Sequence, residues 1–372
     1  MEIIGVIAEY NPFHNGHLYQ IEKIKQIYKD SIIVLVLNGY FLERGIPSIE
    51  TKEEKTRLAL KYGVDIVIEL PFVFGSNSSD IFASSSLELL NELGVKKLVF
   101  GSESNDIELL KKVAKYQSTE EFKNSLKDNL KKGLNYPTAM NNAGISCIKE
   151  PNDLLGISYI KAILESKYDI EPISIKRTND YLDTKSNDSI ISSTNIREKI
   201  NNNIDISKFI PEGNIVTINN DLLFNLIKYK IISDDDLSKY LTVDEGIEYR
   251  LKKVINKVNS LDELVSSIKT KRYTYNRIMR MLIHILVGLT KEDKEKLKRN
   301  EYIRLLGFTT IGSKYLNSIK KNLNLPLVTK ITNVESKIKD YEFKAAEIYT
   351  LISNSDVLEF EYSNKPITIK LD

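Results

Sequence analysis

The chain has 372 residues, of which 42% are hydrophobic and 28% charged, with 53 Lys and Arg against 51 Asp and Glu for a net charge of +2. That length exceeds the roughly 250–300 residues at which a single hydrophobic core stops growing, so two domains are expected, and the balanced charge restricts any nucleic-acid surface to a local patch. The composition is that of a globular protein whose longest apolar runs are too short to span a bilayer, and the one cysteine, Cys147, can form neither an internal disulfide nor a thiol-built zinc site and reads as a buried, inert thiol.

Met1-Glu2-Ile3-Ile4-Gly5 lacks a basic leader region and runs directly into a strand pattern, so no signal peptide is read and a cytoplasmic location is expected. Ile3 to Ala8 is a strand-sized apolar run; Leu18, Ile21, Ile24 and Ile27 follow at helical spacing; Ile32 to Leu37 is again strand-like. Thr51 with Glu54 three positions on marks a helix start, and Asp65 to Leu70 forms a strand closed by Pro71. A helix near Asp80 to Leu93, a strand at Lys97 to Phe100, a helix near Leu154 to Glu165, a strand at Pro172 to Lys176 and a helix opened by Ser193-Thr194 continue the alternation. Such alternation predicts an α/β, Rossmann-like domain with a parallel sheet, helices on both faces, and ligand sites at the carboxyl ends of the strands.

From about Ile204 the pattern changes. Leu222 to Tyr229, Gly246 to Asn259, Arg277 to Val287 and Asn300 to Leu306 read as helices, and Val357 to Ile369, interrupted by Ser363-Asn364-Lys365-Pro366, reads as a terminal hairpin. The expected organisation is therefore an α/β domain over 1–203 and a mostly α-helical domain over 204–372. No internal repeat or low-complexity linker is found.

Directly after the first strand comes Glu9-Tyr10-Asn11-Pro12-Phe13-His14-Asn15-Gly16-His17, which leads into a helix. A tight loop between a strand and a helix start presents unpaired amides and the positive end of the helix dipole, a ready anion site. Two histidines three positions apart on the first turn can face that anion, and Gly16 permits close backbone approach. Of the three histidines in the chain, two lie here. A single histidine in such a loop is ordinarily a cap satisfied by backbone groups; the pair around Asn-Gly favours function. A metal pair is compatible with the spacing, but no further histidine or cysteine lies nearby to complete it, and no metal ligands are assigned. Ile190-Ile191-Ser192-Ser193-Thr194-Asn195-Ile196-Arg197 joins the last strand to a helix, and its hydroxyls taken alone read as ordinary N-caps.

The histidine loop resembles the HxGH signature of a nucleotidyltransferase superfamily, and Ile190 to Arg197 resembles that superfamily's ISSTxIR segment. The resemblance implies that both grip the phosphates of ATP during attack on the α-phosphate, with His14 and His17 catalytic. Successive further blocks resemble the bacterial tRNA(Met) cytidine acetate ligase family: Phe41-Leu42-Glu43-Arg44-Gly45-Ile46-Pro47, Gly101-Ser102-Glu103, Tyr136-Pro137, Pro151-Asn152-Asp153-Leu154-Leu155-Gly156, Lys176-Arg177, Lys271-Arg272-Tyr273-Thr274-Tyr275-Asn276-Arg277-Ile278 and Arg304-Leu305-Leu306-Gly307-Phe308. They occur in order over nearly the whole chain.

This second resemblance implies that ATP and acetate give acetyl-adenylate, whose acetyl group passes to N4 of the wobble cytidine of elongator tRNA(Met), with Mg2+ accompanying ATP. Carried over to this chain, ATP contacts are implied for Ile7, Ala8, Glu9, Tyr10, Asn11, Pro12, Phe13, His14, Asn15, Gly16, His17, Leu18, Tyr19 and Gln20, for Gly101, Asn152 and Arg177, and for Ser193 and Thr194. Without the resemblance Gly101, Asn152 and Arg177 read as a turn glycine, a turn asparagine and a surface arginine. Lys269, Lys271, Arg272, Arg277 and Arg280 interleave with Tyr273 and Tyr275, a pattern suited to phosphate contacts and base stacking but equally to a solvated helix face. Two departures from the family pattern stand out: Asn38-Gly39-Tyr40-Phe41-Leu42-Glu43-Arg44-Gly45 carries Glu43 where the family often has Gln, and Tyr181-Leu182-Asp183 carries Leu182 where it often has His. Two other readings compete: a nucleotidyltransferase acting on a small phosphorylated acceptor, which leaves the basic helical half unexplained, and an RNA-binding protein with an idle nucleotide pocket. No partner protein is identifiable.

Overall fold

The structure is a computed structural model that describes residues 1–134, 136–143, 148–177, 188–363 and 365–370; Cys147 and Tyr181 to Asp183 lie outside them. Its first part alternates β1 (Glu2–Ala8), α1 (Asn15–Ile27), β2 (Ser31–Asn38), α2 (Lys52–Lys61), β3 (Ile66–Leu70), α3 (Phe72–Gly75), α4 (Ser79–Glu92) and β4 (Lys97–Ser102). Helices α5 (Ile107–Gln117), α6 (Glu120–Lys131) and α7 (Tyr136–Asn142) come next, then α8 (Pro151–Ser166), β5 (Glu171–Lys176) and α9 (Ser193–Asn201). The remainder holds α10 (Asn220–Ser233), α11 (Ile247–Val254), α12 (Leu261–Ile268), α13 (Tyr275–Val287), α14 (Lys291–Lys296), β6 (Ile303–Thr309), α15 (Thr310–Ile319), β7 (Leu327–Val328), α16 (Lys337–Ile352), α17 (Leu358–Ser363) and β8 (Ile367–Ile369).

Among the described residues the strands form one eight-stranded sheet in the order β5-β4-β1-β2-β3-β6-β7, with β8 also paired to β6. The five strands from β5 to β3 run parallel. In β2, Ile32, Val34 and Val36 enter the core on one face while Ile33, Leu35 and Leu37 enter that on the other. Burial on both faces is why the strand reads as an unbroken apolar run. Thr51 caps α2 by accepting from the Glu54 amide, as expected from its spacing.

The α/β sheet followed by a mostly helical remainder is borne out, with two corrections beyond residue 204. Ile303 to Leu306, expected within a helix, lies in β6, which runs antiparallel to β3 and pairs parallel with β7 and β8. An apolar run buried on both faces has no period that separates strand from helix. The expected terminal hairpin is instead α17 followed by β8, because Ile367–Ile369 finds its partner in β6 rather than in a neighbouring strand. The sheet that carries the site is thus completed by strands from the far part of the chain.

A buried charge cluster sits where these parts meet. Lys52 of α2 bridges Glu69 of β3, Glu342 of α16 at 2.8 Å and Glu361 of α17 at 2.8 Å. Arg304 of β6 meets Glu69 at 3.0 Å and Glu361 at 2.5 Å, and the Tyr40 hydroxyl donates to Glu361 at 2.6 Å. Glu342 also accepts from the Phe72 amide at 2.7 Å, which caps α3.

Candidate active site

In this strand order the chain moves one way from β1 to β2 and β3, then returns to the other side of β1 for β4. The carboxyl ends of β1 and β4 therefore flank a topological switch point, where parallel sheets open a crevice for ligands. A cavity of about 320 Å³ occupies that place, lined from the β1 loop, the end of β4, the starts of α8 and α9, and the segment 42–46.

His14 is the N-cap of α1: its Nδ1 accepts from the Gly16 amide at 2.9 Å, and His17 Nδ1 accepts from the His14 amide at 3.3 Å. The two rings lie 3.9 Å apart. Burial lowers the His14 imidazole to about 3, with Arg177 and Arg197 adding to the effect. His17 is held well below the usual histidine range by burial, then by His14 and Arg177. Both rings are therefore neutral near pH 7. With each Nδ1 occupied as an acceptor, the proton belongs on Nε2, which leaves each ring one N–H donor for a ligand. Gly16 is required by space: a Cβ there would come within 2.7 Å of His14 Cε1.

Two arginines border the same cavity. Arg197 of α9 donates to the Asn11 carbonyl at 2.7 Å and to Thr194 Oγ1 at 3.1 Å, tying the hydroxyl-rich segment to the histidine loop. Arg177, just past β5, binds the Ser102 carbonyl through its amide at 3.0 Å and lies 3.8 Å from Glu103. The Gly101-Ser102-Glu103 turn is joined to the start of α8. Glu103 accepts from Asn152 Nδ2 at 2.5 Å and the Asp153 amide at 3.1 Å, while Asp153 accepts from Ser102 Oγ at 2.5 Å and the Ser104 amide at 3.0 Å. Lys55 holds the ends of β1 and β2 together, donating to the carbonyls of Glu9 at 3.0 Å, Asn38 at 2.7 Å and Gly39 at 2.8 Å; burial lowers its ammonium to about 7.

Of the residues singled out for ATP, Ile7, Ala8, Glu9, Tyr10, Asn11, His14, Gly16, His17, Tyr19, Gln20, Gly101, Asn152, Arg177 and Ser193 line the cavity. Five do not. Phe13 is fully buried, stacked on Tyr62, with its amide donating to Glu50. Asn15 binds the carbonyls of Ser189 and Lys208, Leu18 of α1 is half-buried against the core, and Thr194 accepts from Arg197. Pro12 is likewise absent from the lining. Ser192, rather than Ser193 or Thr194, is the N-cap of α9.

The segment singled out for tRNA divides. Lys269, Lys271 and Tyr275 are exposed. Tyr273 is not available for stacking on a base: it is buried, its hydroxyl donates to the Asp244 carbonyl at 2.6 Å, and Arg277 covers its ring at 4.1 Å. Arg272 pairs with Glu245 at 3.1 Å and Arg277 faces Asp244 at 3.8 Å. Arg280 turns inward and pairs with Glu43 at 2.9 Å. Gly45 of the same loop has φ +73° and lies against α13, where a Cβ would meet the Arg280 amide nitrogen at 2.3 Å. The helical part therefore shapes the cavity by holding the loop that carries Leu42, Glu43, Arg44 and Ile46 into its wall.

Residues given no site role from the sequence also face the cavity, among them Glu43, Phe82, Leu155, Tyr159, Lys176 and Arg197. Arg197 was legible within the Ile190 to Arg197 segment. Tyr159 had no local signal, because its position depends on how α8 packs on β4.

The HIGH Nucleotidyl Transferase family model matches residues 1–364. The tRNA(Met) cytidine acetate ligase of Caldicellulosiruptor saccharolyticus is 39% identical over 99% of both chains, and that of Geobacillus sp. (strain WCH70) is 37% identical over 99% of this chain and 100% of the relative. The crystal structure of Thermotoga maritima TmcAL bound with alpha-thio ATP superposes with a TM-score of 0.88 at 29% identity, and its apo form with 0.89 at 30%, each over 100% of both chains. With neutral paired histidines at the crevice and this end-to-end likeness, the chain belongs to the tRNA(Met) cytidine acetate ligase family of HIGH nucleotidyl transferases.

Proposed function

We propose that this protein activates acetate with ATP, releasing pyrophosphate and forming acetyl-adenylate, and then transfers the acetyl group to N4 of the wobble cytidine (C34) of elongator tRNA(Met). The observation that carries the reading is the pair of imidazoles whose Nδ1 atoms are both engaged by backbone amides, facing one cavity with Arg177 and Arg197. Attack of acetate on the α-phosphate builds negative charge on the phosphate oxygens, and donors fixed in advance at that place stabilise the transition state without reorganising. His14 and His17 would supply the Nε2–H donors and Arg177 and Arg197 the positive charge. Ile7, Ala8, Tyr10, Asn11, Gly16, Tyr19 and Gln20 of the β1 loop and α1 start, with Gly101, Asn152 and Ser193, line the same cavity and would hold the rest of the nucleotide. Mg2+ would accompany the triphosphate, bound mainly by its phosphates and by water.

Lys269, Lys271 and Tyr275, exposed at the start of α13, would meet the tRNA, while Arg272 and Arg277 can reach phosphate only by leaving their acidic neighbours. Residues 204–372 would serve mainly as the tRNA-binding part. Among the described residues no helix is long and apolar enough to cross a membrane; a cytoplasmic site of action fits a tRNA substrate. ATP–pyrophosphate exchange by purified protein tests the first half-reaction. Exchange that depends on acetate is expected, followed by N4-acetylcytidine in elongator tRNA(Met) on nucleoside analysis; exchange indifferent to acetate overturns the reading.

A further inference from the structure

Two chemically different sets of side chains line the cavity. One is the neutral histidines with the arginines. The other is Glu9, Glu43 and Tyr159, with both carboxylates in electrostatic reach of the phenol, and Leu42, Ile46 and Phe82 line the same cavity. Glu9 Oε1 accepts from the Glu43 amide at 2.6 Å and from Asn38 Nδ2 at 3.0 Å, while Oε2 has no partner among the described residues. Glu43 is engaged by Arg280 at 2.9 Å. Tyr159 is only 3% exposed, yet its hydroxyl makes no hydrogen bond among the described residues and is not sealed in: it opens onto the cavity. Burial, and then the charges of Glu9 and Glu43, push the phenol far above its ordinary value, so it remains a neutral O–H donor.

A buried polar group left without a partner is costly, and the charge of Glu43 is already answered by Arg280 and Arg44. The group that fits is neutral, flat and carries an amino donor beside an acceptor, which describes the Watson–Crick edge of cytosine. An acceptor for the amino group of adenine exists elsewhere: Asn152 gives its nitrogen to Glu103, which leaves its Oδ1 free on the β4 side. Glu9, in contrast, is followed directly in the chain by the histidine loop and lines the same cavity as His14 and His17.

We propose that Glu9, Tyr159 and the Glu43 backbone that aligns Glu9 form the acceptor-base subsite, in which Glu9 Oε2 accepts an N4–H of the target cytosine and serves as the general base for acetyl transfer. The inference rests on the acetyl-transfer reading above. The N4 lone pair attacks the acetyl carbonyl carbon and the C–N bond forms. The acyl C–O bond to the adenylate breaks, its electron pair leaves on AMP, and the proton lost from N4 passes to Glu9 Oε2. Tyr159 Oη donates to the ring N3 or O2 of the same base. Glu9 and Tyr159 are then catalytic and substrate-binding residues, and Glu43 a positioning residue.

The test separates the half-reactions in the full-length protein, measuring acetate-dependent ATP–pyrophosphate exchange and single-turnover acetyl transfer to tRNA(Met) in parallel. Glu9→Gln keeps an acceptor for Asn38 and the Glu43 amide but cannot take a proton. Its ratio of transfer to exchange is expected to fall by about 100-fold or more, the scale of a general base. Tyr159→Phe is expected to lower the same ratio by about tenfold, the scale of one hydrogen bond to a buried group, chiefly through a higher KM for tRNA. If Glu9→Gln lowers both half-reactions together, the acidic set serves the adenylate and the inference fails; it fails equally if neither changes. A wild-type protein without acetate-dependent exchange would instead bring down the activity reading itself.

Discussion

The chain keeps two collections of polar groups out of water and treats them in opposite ways. In the cluster of Lys52, Glu69, Arg304, Glu342 and Glu361 the two cations and the Tyr40 hydroxyl meet three carboxylates, and the excess is relieved at Glu342, whose carboxyl burial and then Glu69 hold up at about 7. In the cavity the histidine Nε2 atoms, Glu9 Oε2 and the Tyr159 hydroxyl are aimed at a space that no side chain fills. Burying a charge costs several kcal/mol unless it is paired, so the matched set fastens elements together and the unmatched set is retained for what enters from outside. Burial alone does not mark function: Lys52 and His14 are both buried, and what differs is whether the protein supplies the partner.

Breaking the matched set has the largest expected effect. Arg304→Ala leaves Lys52 as the one cation against Glu69, Glu342 and Glu361 and should lower the unfolding free energy by about 3–5 kcal/mol; a urea titration showing less than about 1 kcal/mol would mean the cluster is not held as described. His17→Ala attacks the unmatched set, and acetate-dependent exchange should fall by about 100- to 1,000-fold with the urea midpoint little changed. A large loss of stability there would erase the contrast. His284 sharpens the division, because it is buried but satisfied, with its ring nitrogens on the Ser76 carbonyl at 2.8 Å and Thr242 Oγ1 at 3.2 Å. Burial lowers it to about 4. A folded-state value below the unfolded value near 6.5 means that its contribution is complete above 6.5 and is lost as the pH falls towards 4. Wild type should therefore lose about 2 kcal/mol relative to His284→Gln between pH 7 and pH 5, a difference that cancels the opposite trend of Glu50, which burial holds up at about 8. The smallest effect is expected at the surface: Tyr275→Ala should weaken tRNA binding by about tenfold, whereas Tyr273→Ala should act on stability first. Equal effects on binding from both would contradict the burial of Tyr273.

What could be read in the sequence was local. The strand, loop and helix start around His14 and His17 declare themselves through residues next to one another, as does the segment ending at Arg197. The alternation of β1 to β5 with helices is likewise written in short-range periodicity. Features built by distant segments were misread or missed. Ile303 to Leu306 is buried on both faces and so has no telling period, and Tyr273 among basic residues looks the same whether its ring faces water or, as here, the backbone of Asp244. The Glu43 departure was visible as a substitution, but its pairing with Arg280, 237 residues away, was not. Tyr159 is a core-like position of a helix until α8 is laid against β4.

The contact between Tyr40 and Glu361 spans 321 residues of sequence. During synthesis the first strands emerge from the ribosome long before the helix that carries this carboxylate, so Lys52 must wait, incompletely neutralised, for the last stretch of chain. Long-range closure of this kind slows folding and favours a late, cooperative step. Nascent chains short of Glu361 would carry the nucleotide loop but not the finished support behind it, which ties the onset of activity to the emergence of that carboxylate.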